Sequence, residues 1–351
     1  MSLQRSFHMI IICAIMVGLS VLPKETSLQA QDLTKVGQSG MKFLSIPISA
    51  RADAMGSSFI SIAEDADALF WNAAGLGKLD GVQVNFHHHQ WIADMAQNAI
   101  SVGYNLGGNY GTIGASFVAM DYGDFHGTRR SVTDPGGFTE TGTYSPTAMA
   151  IGVGYAAQMT DRFYWGGHIR YAYQDLGQSA IGHDPTDIEE GFFMKDNSQG
   201  VLVFDFGTIY HTGFRDLRIA MSLRNFGNDV TYEEEPFALP LNFTVGVAMD
   251  IFQLANSMGM MDESGMHKMT LSIEGATMRD YTERVHFGAE YSLQDIIFLR
   301  AGYKVNYDEE GLGLGAGVKQ NFGTFGAKID YAYKPYGVFG TLHRFSIGMN
   351  F

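Results

Sequence analysis

The residues best suited to chemistry are three consecutive histidines, His87, His88 and His89. Imidazole is a common zinc ligand, and a structural zinc site needs four donors converging on one point. On an extended strand successive side chains take opposite faces, so His87 and His89 share one face and His88 takes the other. Two local donors do not make a metal site, and the triplet reads as a strand end near a membrane interface. Hydrolytic chemistry has no firmer basis: serines and histidines are frequent, but no spacing ties a nucleophile to a base, and the single cysteine is Cys13. The run Gly311-x-Gly-x-Gly-x-Gly alternates strictly with Leu312, Leu314 and Ala316, which is a strand pattern and not a phosphate-binding turn before a helix. The sequence therefore suggests no catalytic residue, no metal site, no cofactor and no enzyme.

What remains is charge set among apolar residues. Arg170, His168, Asp205, His211, Arg218, Arg224, Asp250, Glu274, Glu290, Arg300, Lys304, Lys319, Lys328, Asp330 and Arg344 occupy the polar phase of segments whose other phase is rich in Phe, Tyr, Val, Ile and Leu. Both signs fall on neighbouring segments: Glu290 is expected beside Arg300, and Lys328 with Asp330 beside Arg344. Such groups form a hydrogen-bonded network if the polar phase faces an enclosed interior, and pore selectivity is the competing role.

The elements that position these groups follow from periodicity. Beyond about residue 82, apolar and small or polar residues alternate with period two. In 239–251, Leu241, Phe243, Val245, Val247, Met249 and Ile251 alternate with Asn242, Thr244, Gly246, Ala248 and Asp250. Fourteen such segments can be counted: 82–89, 96–105, 111–121, 145–158, 163–175, 199–212, 216–226, 239–251, 266–278, 283–293, 296–305, 311–321, 323–333 and 341–351. An even number of strands, greasy on one face and small or polar on the other, predicts an all-β transmembrane barrel of the outer-membrane type. Long polar connections, 122–144, 176–198 and 227–238, follow odd-numbered strands, whereas even-numbered strands mostly end in tight turns such as Gly107-Gly108-Asn109. The exception is 252–265, with Met258, Met260 and Met261, where a short helix or a miscounted pair of strands is expected.

Composition agrees. The chain has 351 residues, 43 glycines, 13% aromatic residues and only 17% charged residues. Residues 1–30 read as a signal peptide, with Arg5 before the apolar run Met9–Leu22 and Leu28-Gln29-Ala30 before Gln31. Without them, 21 basic residues stand against 36 acidic ones, a net charge of −15 that argues against nucleic-acid binding. The expected layout is signal peptide 1–30, a periplasmic or lumenal hatch 31–81 and the barrel 82–351, in the outer membrane among its lipids. The closing strand alternates Phe345, Ile347, Met349 and Phe351 with polar or small residues. Phe345 and the terminal Phe351 would act as an assembly signal for the barrel-assembly machinery.

Residues 31–81 do not alternate. Ala50-Arg51-Ala52-Asp53-Ala54-Met55-Gly56 suits a short helix ended by Gly56, and the acidic start of Glu64-Asp65-Ala66-Asp67-Ala68-Leu69-Phe70-Trp71-Asn72-Ala73-Ala74-Gly75-Leu76 favours a helix N-terminus. These two stretches resemble the N-terminal signature of the PorV/PorQ family, a branch of the FadL-like outer-membrane barrels. Met120-Asp121-Tyr122-Gly123-Asp124 and Asp330-Tyr331-Ala332-Tyr333-Lys334-Pro335-Tyr336-Gly337 through Ser346 are similar to that family's third strand end and closing hairpin. Ala73 departs from it, since the family usually has proline there.

The resemblance implies a fourteen-stranded barrel plugged by a hatch built on Arg51, Gly56, Asp65, Asp67, Asn72, Gly75 and Leu76. Arg170, Asp205, Arg224, Glu290, Arg300, Lys328, Asp330 and Arg344 are then expected to grip that hatch from the lumen wall. Family members include components of the type IX secretion system of Bacteroidota, whose partners are a secretion barrel and the C-terminal domains of cargo. A FadL-like transporter of hydrophobic small molecules is the alternative, and its outer loops should form an apolar groove. Here those loops are mainly polar and acidic, with Phe125, Phe138, Ile181, Ile188, Phe192, Phe193 and Phe237 as scattered apolar anchors.

Overall fold

A computed structural model of the chain describes residues 37–131, 134–182, 192–257 and 266–351. The expected signal peptide and Ile188, Met258, Met260 and Met261 lie outside them. In chain order the strands are β1 (Val82–Gln90), β2 (Ala96–Asn105), β3 (Thr112–Asp121), β4 (Phe125–Arg130), β5 (Phe138–Tyr144), β6 (Thr147–Thr160), β7 (Phe163–Gly182), β8 (Phe192–His211), β9 (Arg218–Gly227), β10 (Val230–Thr231), β11 (Pro236–Phe237), β12 (Asn242–Asp250), β13 (His267–Met278), β14 (Arg284–Leu293), β15 (Ile297–Val305), β16 (Leu312–Asn321), β17 (Gly326–Pro335) and β18 (Thr341–Asn350).

Fourteen of these strands close into an antiparallel barrel, and β4–β5 and β10–β11 are separate hairpins. The seam joins β1 to β18, with Phe86 opposite Ile347 and His89 opposite Arg344. Burial alternates along each wall strand as the sequence pattern requires: on β18, Phe345 and Ile347 face outward while Arg344 and Ser346 are buried. Phe351 is also exposed.

Two connections differ from expectation. The 176–198 connection is largely a continuation of the β7–β8 ladder, which resumes after a bulge with Gln178 opposite Asp196 and Ser179 opposite Lys195. Beyond the membrane a hairpin no longer needs a greasy face, so the alternation that reveals strands fades there. The 122–144 connection likewise contains the β4–β5 hairpin. After β12 the chain forms the helix Ile251–Ser257, whose first amides, Phe252 N–H at 2.9 Å and Gln253 N–H at 3.3 Å, donate to Asp250 Oδ1. The fourteen-strand count therefore stands without another pair.

The extended hairpins define a loop end of the barrel, and the tight turns and the chain's last residue define the turn end. Residues 37–81 run through the lumen between them. Gly40 N–H donates to Ala238 O at 3.0 Å, and Ser39 and Lys42 both bind Asp280, which fixes the start of the segment at the loop end. Asn105 N–H donates to Gly81 O at 2.9 Å, which fixes its exit at the turn end. Sequence order suggests a plug folding up from the turn end. The described segment instead descends from the loop end.

Candidate functional site

The hatch meets the wall through two different chemistries. Toward β14–β18 the contact is ionic. The wall there turns Arg284, Arg300, Lys304, Lys319, Lys328, Lys334 and Arg344 inward against Glu290 and Asp330, while hatch residues 49–80 carry Asp53, Glu64, Asp65, Asp67 and Asp80 against Arg51 and Lys78. A basic wall thus holds an acidic hatch.

The short helix Ala50–Ala54 supplies both ends of the clamp. Arg51 forms a two-toothed pair with Glu290, 2.8 Å from Nε to Oε2 and 2.7 Å from Nη2 to Oε1, and Glu290 also accepts from Arg300 Nε at 2.5 Å. One residue pair further on, Asp53 meets Arg344 at 2.8 Å and Lys334 at 3.1 Å. Lys334 and Lys304 both reach Glu310 in the β15–β16 connection. Burial alone would raise the Asp53 carboxyl, but Arg344 and Lys334 hold it well below the usual carboxylate range. Glu310 is held down to about 2 in the same way, with burial opposed by Lys304 and Lys334.

Glu290 and Arg300 pair as the sequence suggests. Arg344 does not join Lys328 and Asp330: it turns to Asp53 and to His89, whose Nδ1 lies 2.7 Å from Nη2. Lys328 reaches hatch Asp65 at 3.0 Å, and Asp330 takes Arg300 Nη1 at 2.7 Å. The acidic stretch does precede a helix N-terminus, since Asp67 sits just before the short helix Ala68–Trp71, but the Asp67 side chain does not cap it. Its Oδ1 instead accepts from Asn85 at 2.7 Å and Ser101 at 2.9 Å and lies 2.9 Å from His87 Nε2. A three-partner lumen site is worth more to a buried carboxylate than one helix amide.

Toward β2–β9 the contact is apolar and close. Leu69 and Leu76 are buried close against glycines: a side-chain carbon added at Gly154 would lie 2.3 Å from Leu69 Cδ2, and one at Gly103 would lie 3.0 Å from Leu76 Cδ1. At Gly166 the obstacle is hatch backbone, with Ala73 C at 2.5 Å. Asn72 organises this side. Its Oδ1 accepts Ala74 N–H at 3.2 Å, capping the turn Ala73–Lys78, while Nδ2 donates to Ile60 O at 3.0 Å and to Thr208 O of β8 at 3.1 Å. Ala73 opens that turn, where proline would be well tolerated, so the family's proline is replaced without loss of the cap. Gly75 packs where an added carbon would strike Ala63 O at 2.2 Å, and Gly56 has φ +62° against the β15 backbone at Tyr303 N. Arg224 donates from Nη1 to Phe70 O at 2.8 Å and lies over the Trp71 ring. Arg170 stays within the wall, bound to Asp205 and Asn225 at 2.7 Å each.

Two lumen clusters have the composition of a hydrolytic relay. Ser346 Oγ lies 2.8 Å from His87 Nδ1, and His87 reaches Asp67; Ser116 Oγ lies 2.9 Å from His168 Nε2, with Asp205 at 3.3 Å from Nδ1. A nucleophile must be open to its substrate. Ser346 Oγ instead accepts Ala50 N–H at 2.8 Å, and all six side chains are buried, so these groups act as clasps. His88 points outward to Asn98, and among the described residues no group of three or more His, Cys, Asp or Glu side chains is placed to hold a metal ion.

The hatch leaves cavities at both ends. The loop-end cavity, about 330 Å³, is lined by Trp71, Trp91, Met120, Tyr122, Tyr281 and Glu310 among others, and the turn-end cavity, about 610 Å³, by Arg51, Glu64, Glu290, Arg300 and Lys328. Of the apolar loop anchors, Phe125 stacks on Tyr144 and stays exposed, as do Phe138 and Phe193. Phe237 turns inward onto Tyr232 and Gly40 and is no surface anchor. Asp53, Lys334, Asn85 and Ser101 escape a reading by strand neighbours, because Asp53 pairs with Lys334 across 281 residues and Asn85 and Ser101 meet Asp67 on the hatch.

Residues 29–271 match the sequence model of a family described as Type IX secretion system protein PorV. No curated protein matches the chain. Among solved structures, the toluene transporter TbuX of Ralstonia pickettii is similar over 86% of this chain and 96% of its own, with a TM-score of 0.57 and 13% identity. A FadL homologue of Pseudomonas aeruginosa is similar over 87% and 98%, at 0.55 and 9%. The toluene transporter TodX of Pseudomonas putida is similar over 86% and 96%, at 0.52 and 11%. At such identities the likeness is one of fold.

Proposed function

The chain belongs to the PorV family of type IX secretion system proteins, and from that premise we propose that it binds cargo or partner proteins at the cell surface through its loop end. It is an outer-membrane β-barrel. The observation that carries the reading, beside the family itself, is that the lumen is crossed by a hatch clamped on one side and close-packed on the other, which leaves a cavity at each end. The β2–β3 and β3–β6 ladders run without a register break, so the wall beside β3 offers no side exit. Contact with partners then falls to the loop end, where the β4–β5 hairpin and the extended β7–β8 hairpin present Phe125, Phe138 and Phe193 among polar residues. An aromatic set in a polar rim is a common anchor for protein contacts. The C-terminal domains of cargo and a secretion barrel are the partners this reading names.

Purification of the tagged protein from its host in mild detergent, with a comparison of secreted proteins in a deletion strain, tests it. Co-purification of a secretion barrel or cargo C-terminal domains, with secretion lost on deletion, is expected. A second reading, transport of hydrophobic small molecules, draws on the aromatic-lined loop-end cavity and the toluene-transporter fold. Purification alone, intact secretion and bound lipid-like molecules would replace the first reading with the second.

A further inference from the structure

The two cavities meet the same stretch of wall. Lys304 and Glu310 line the loop-end cavity, and Glu290, Arg300 and Lys328 line the turn-end one. Along that wall the Ala50–Ala54 helix lies between them, with Arg51 engaging the lower cavity's Glu290 and Asp53 engaging Lys334, the partner of Glu310 above. The helix therefore lies between an aromatic-lined space with a charged edge and a polar one. The opposite face of the hatch, built on Leu69, Leu76 and Ala73, is apolar and would gain nothing from water. On the charged side, withdrawal of the helix would uncover Arg51, Asp53, Glu290, Lys334 and Arg344, which water solvates, and beside them only the small Ala50, Ala54 and Ala332 cluster.

Charge then decides what passes. With the helix withdrawn, the inward face of β14–β18 keeps seven cations against Glu290 and Asp330, with Glu310 at its rim. The acidic partner Asp53 leaves with the helix. A confined lumen with one dominant sign concentrates the opposite ion. We infer that the barrel contains a gated, water-filled path for small hydrophilic anions along β14–β18, closed by the Ala50–Ala54 helix.

This path is independent of the secretion reading and differs in substrate class from hydrocarbon transport. The test is planar-bilayer conductance of the purified full-length barrel in a potassium chloride gradient. The wild type should stay closed. Asp53→Asn keeps the side chain's shape but removes its charge, and should raise the open fraction about tenfold or more, because a buried pair outweighs one decade in population. Its reversal potential should lie on the chloride side. Ala54→Cys with Ala332→Cys, added to D53N, places two thiols within one packed cluster, and the disulfide should silence the current until reductant restores it. Heat-modifiable gel mobility reports whether each variant is an assembled barrel, and a mobility shift on reduction reports the cross-link. An assembled D53N barrel that stays silent overturns the inference. So does a cation-side reversal potential, or a current unaffected by the formed cross-link.

Discussion

The two faces of the hatch fasten the same segment in opposite ways. Against β2–β9, leucines and hatch backbone fill space left by glycines, so the contact depends mainly on shape, with Arg224 against Phe70 O and the Trp71 ring beside it. Against β14–β18, hatch backbone also packs on Gly302 and Gly313, but Arg51 and Asp53 there sit in ion-pair networks that depend on every partner keeping its charge. A packed apolar face loses stability when atoms are added or removed. A buried ionic face loses it when one partner is removed and can be weakened by pH. One side behaves as a weld and the other as a latch.

The largest effect should come from the weld. Gly166→Val places a branched side chain where its first carbon would lie 2.5 Å from Ala73 C and 2.7 Å from Ala74 N, and backbone on both sides cannot step aside. The hatch should fail to seat, giving protease cleavage within residues 49–80 of an otherwise heat-modifiable barrel. A seated, protease-resistant hatch would show that the β7 side has slack.

Asp53→Ala comes next, because it strands Lys334 and Arg344 in the lumen. Breaking a buried pair from one side costs about 3–5 kcal/mol. Hydrogen exchange should accelerate in Ala50–Ala54 and change little at Leu69–Leu76. Equal acceleration on both faces would mean that weld and latch open together.

Much of this division is legible in the sequence, but not its pairing. Period-two alternation reveals the barrel because lipid on one side and polar contact on the other impose it at every wall strand. It also marks which residues face inward, including Glu290 beside Arg300, since neighbours across a ladder follow from strand order. It does not reveal which hatch residue each meets: Arg344 looked available to Asp330 and instead serves Asp53, and Asp67, which does precede the helix Ala68–Trp71, turns its side chain to Asn85, Ser101 and His87. Those contacts depend on the path of a non-repeating segment through the lumen. The glycines on β15 and β16 carried a signal in their inward phase, since the hatch backbone packs directly on Gly302 and Gly313.

Acid should separate the faces more gently. Asp53 and Glu310 are both depressed in the folded barrel, Glu310 from an ordinary 4.5 to about 2. Groups of this sign contribute stability above their unfolded values and lose it as pH falls toward the folded ones. Protection of Ala50–Ala54 should therefore be level from pH 7 to about 5 and decline below about 4, while Leu69–Leu76 holds. A decline that begins near pH 6 would point to histidines and away from these carboxylates.

The smallest effect sharpens what makes the latch a latch. Lys268 and Asp295 form an ion pair at 2.6 Å on the turn-end rim, a shorter contact than Asp53 makes with either partner, but with side chains 46% and 56% exposed. If ion pairing alone held the structure, Lys268→Ala should matter as much as Asp53→Ala. Exposed pairs contribute only about 0–1 kcal/mol, since water already solvates both ends and salt screens them. The expected outcome is a thermal unfolding midpoint within error of the wild type and unchanged hatch exchange. A large loss at Lys268 would move the origin of hatch stability from enclosure to charge number, and the contrast between the two faces would have to be redrawn on that basis.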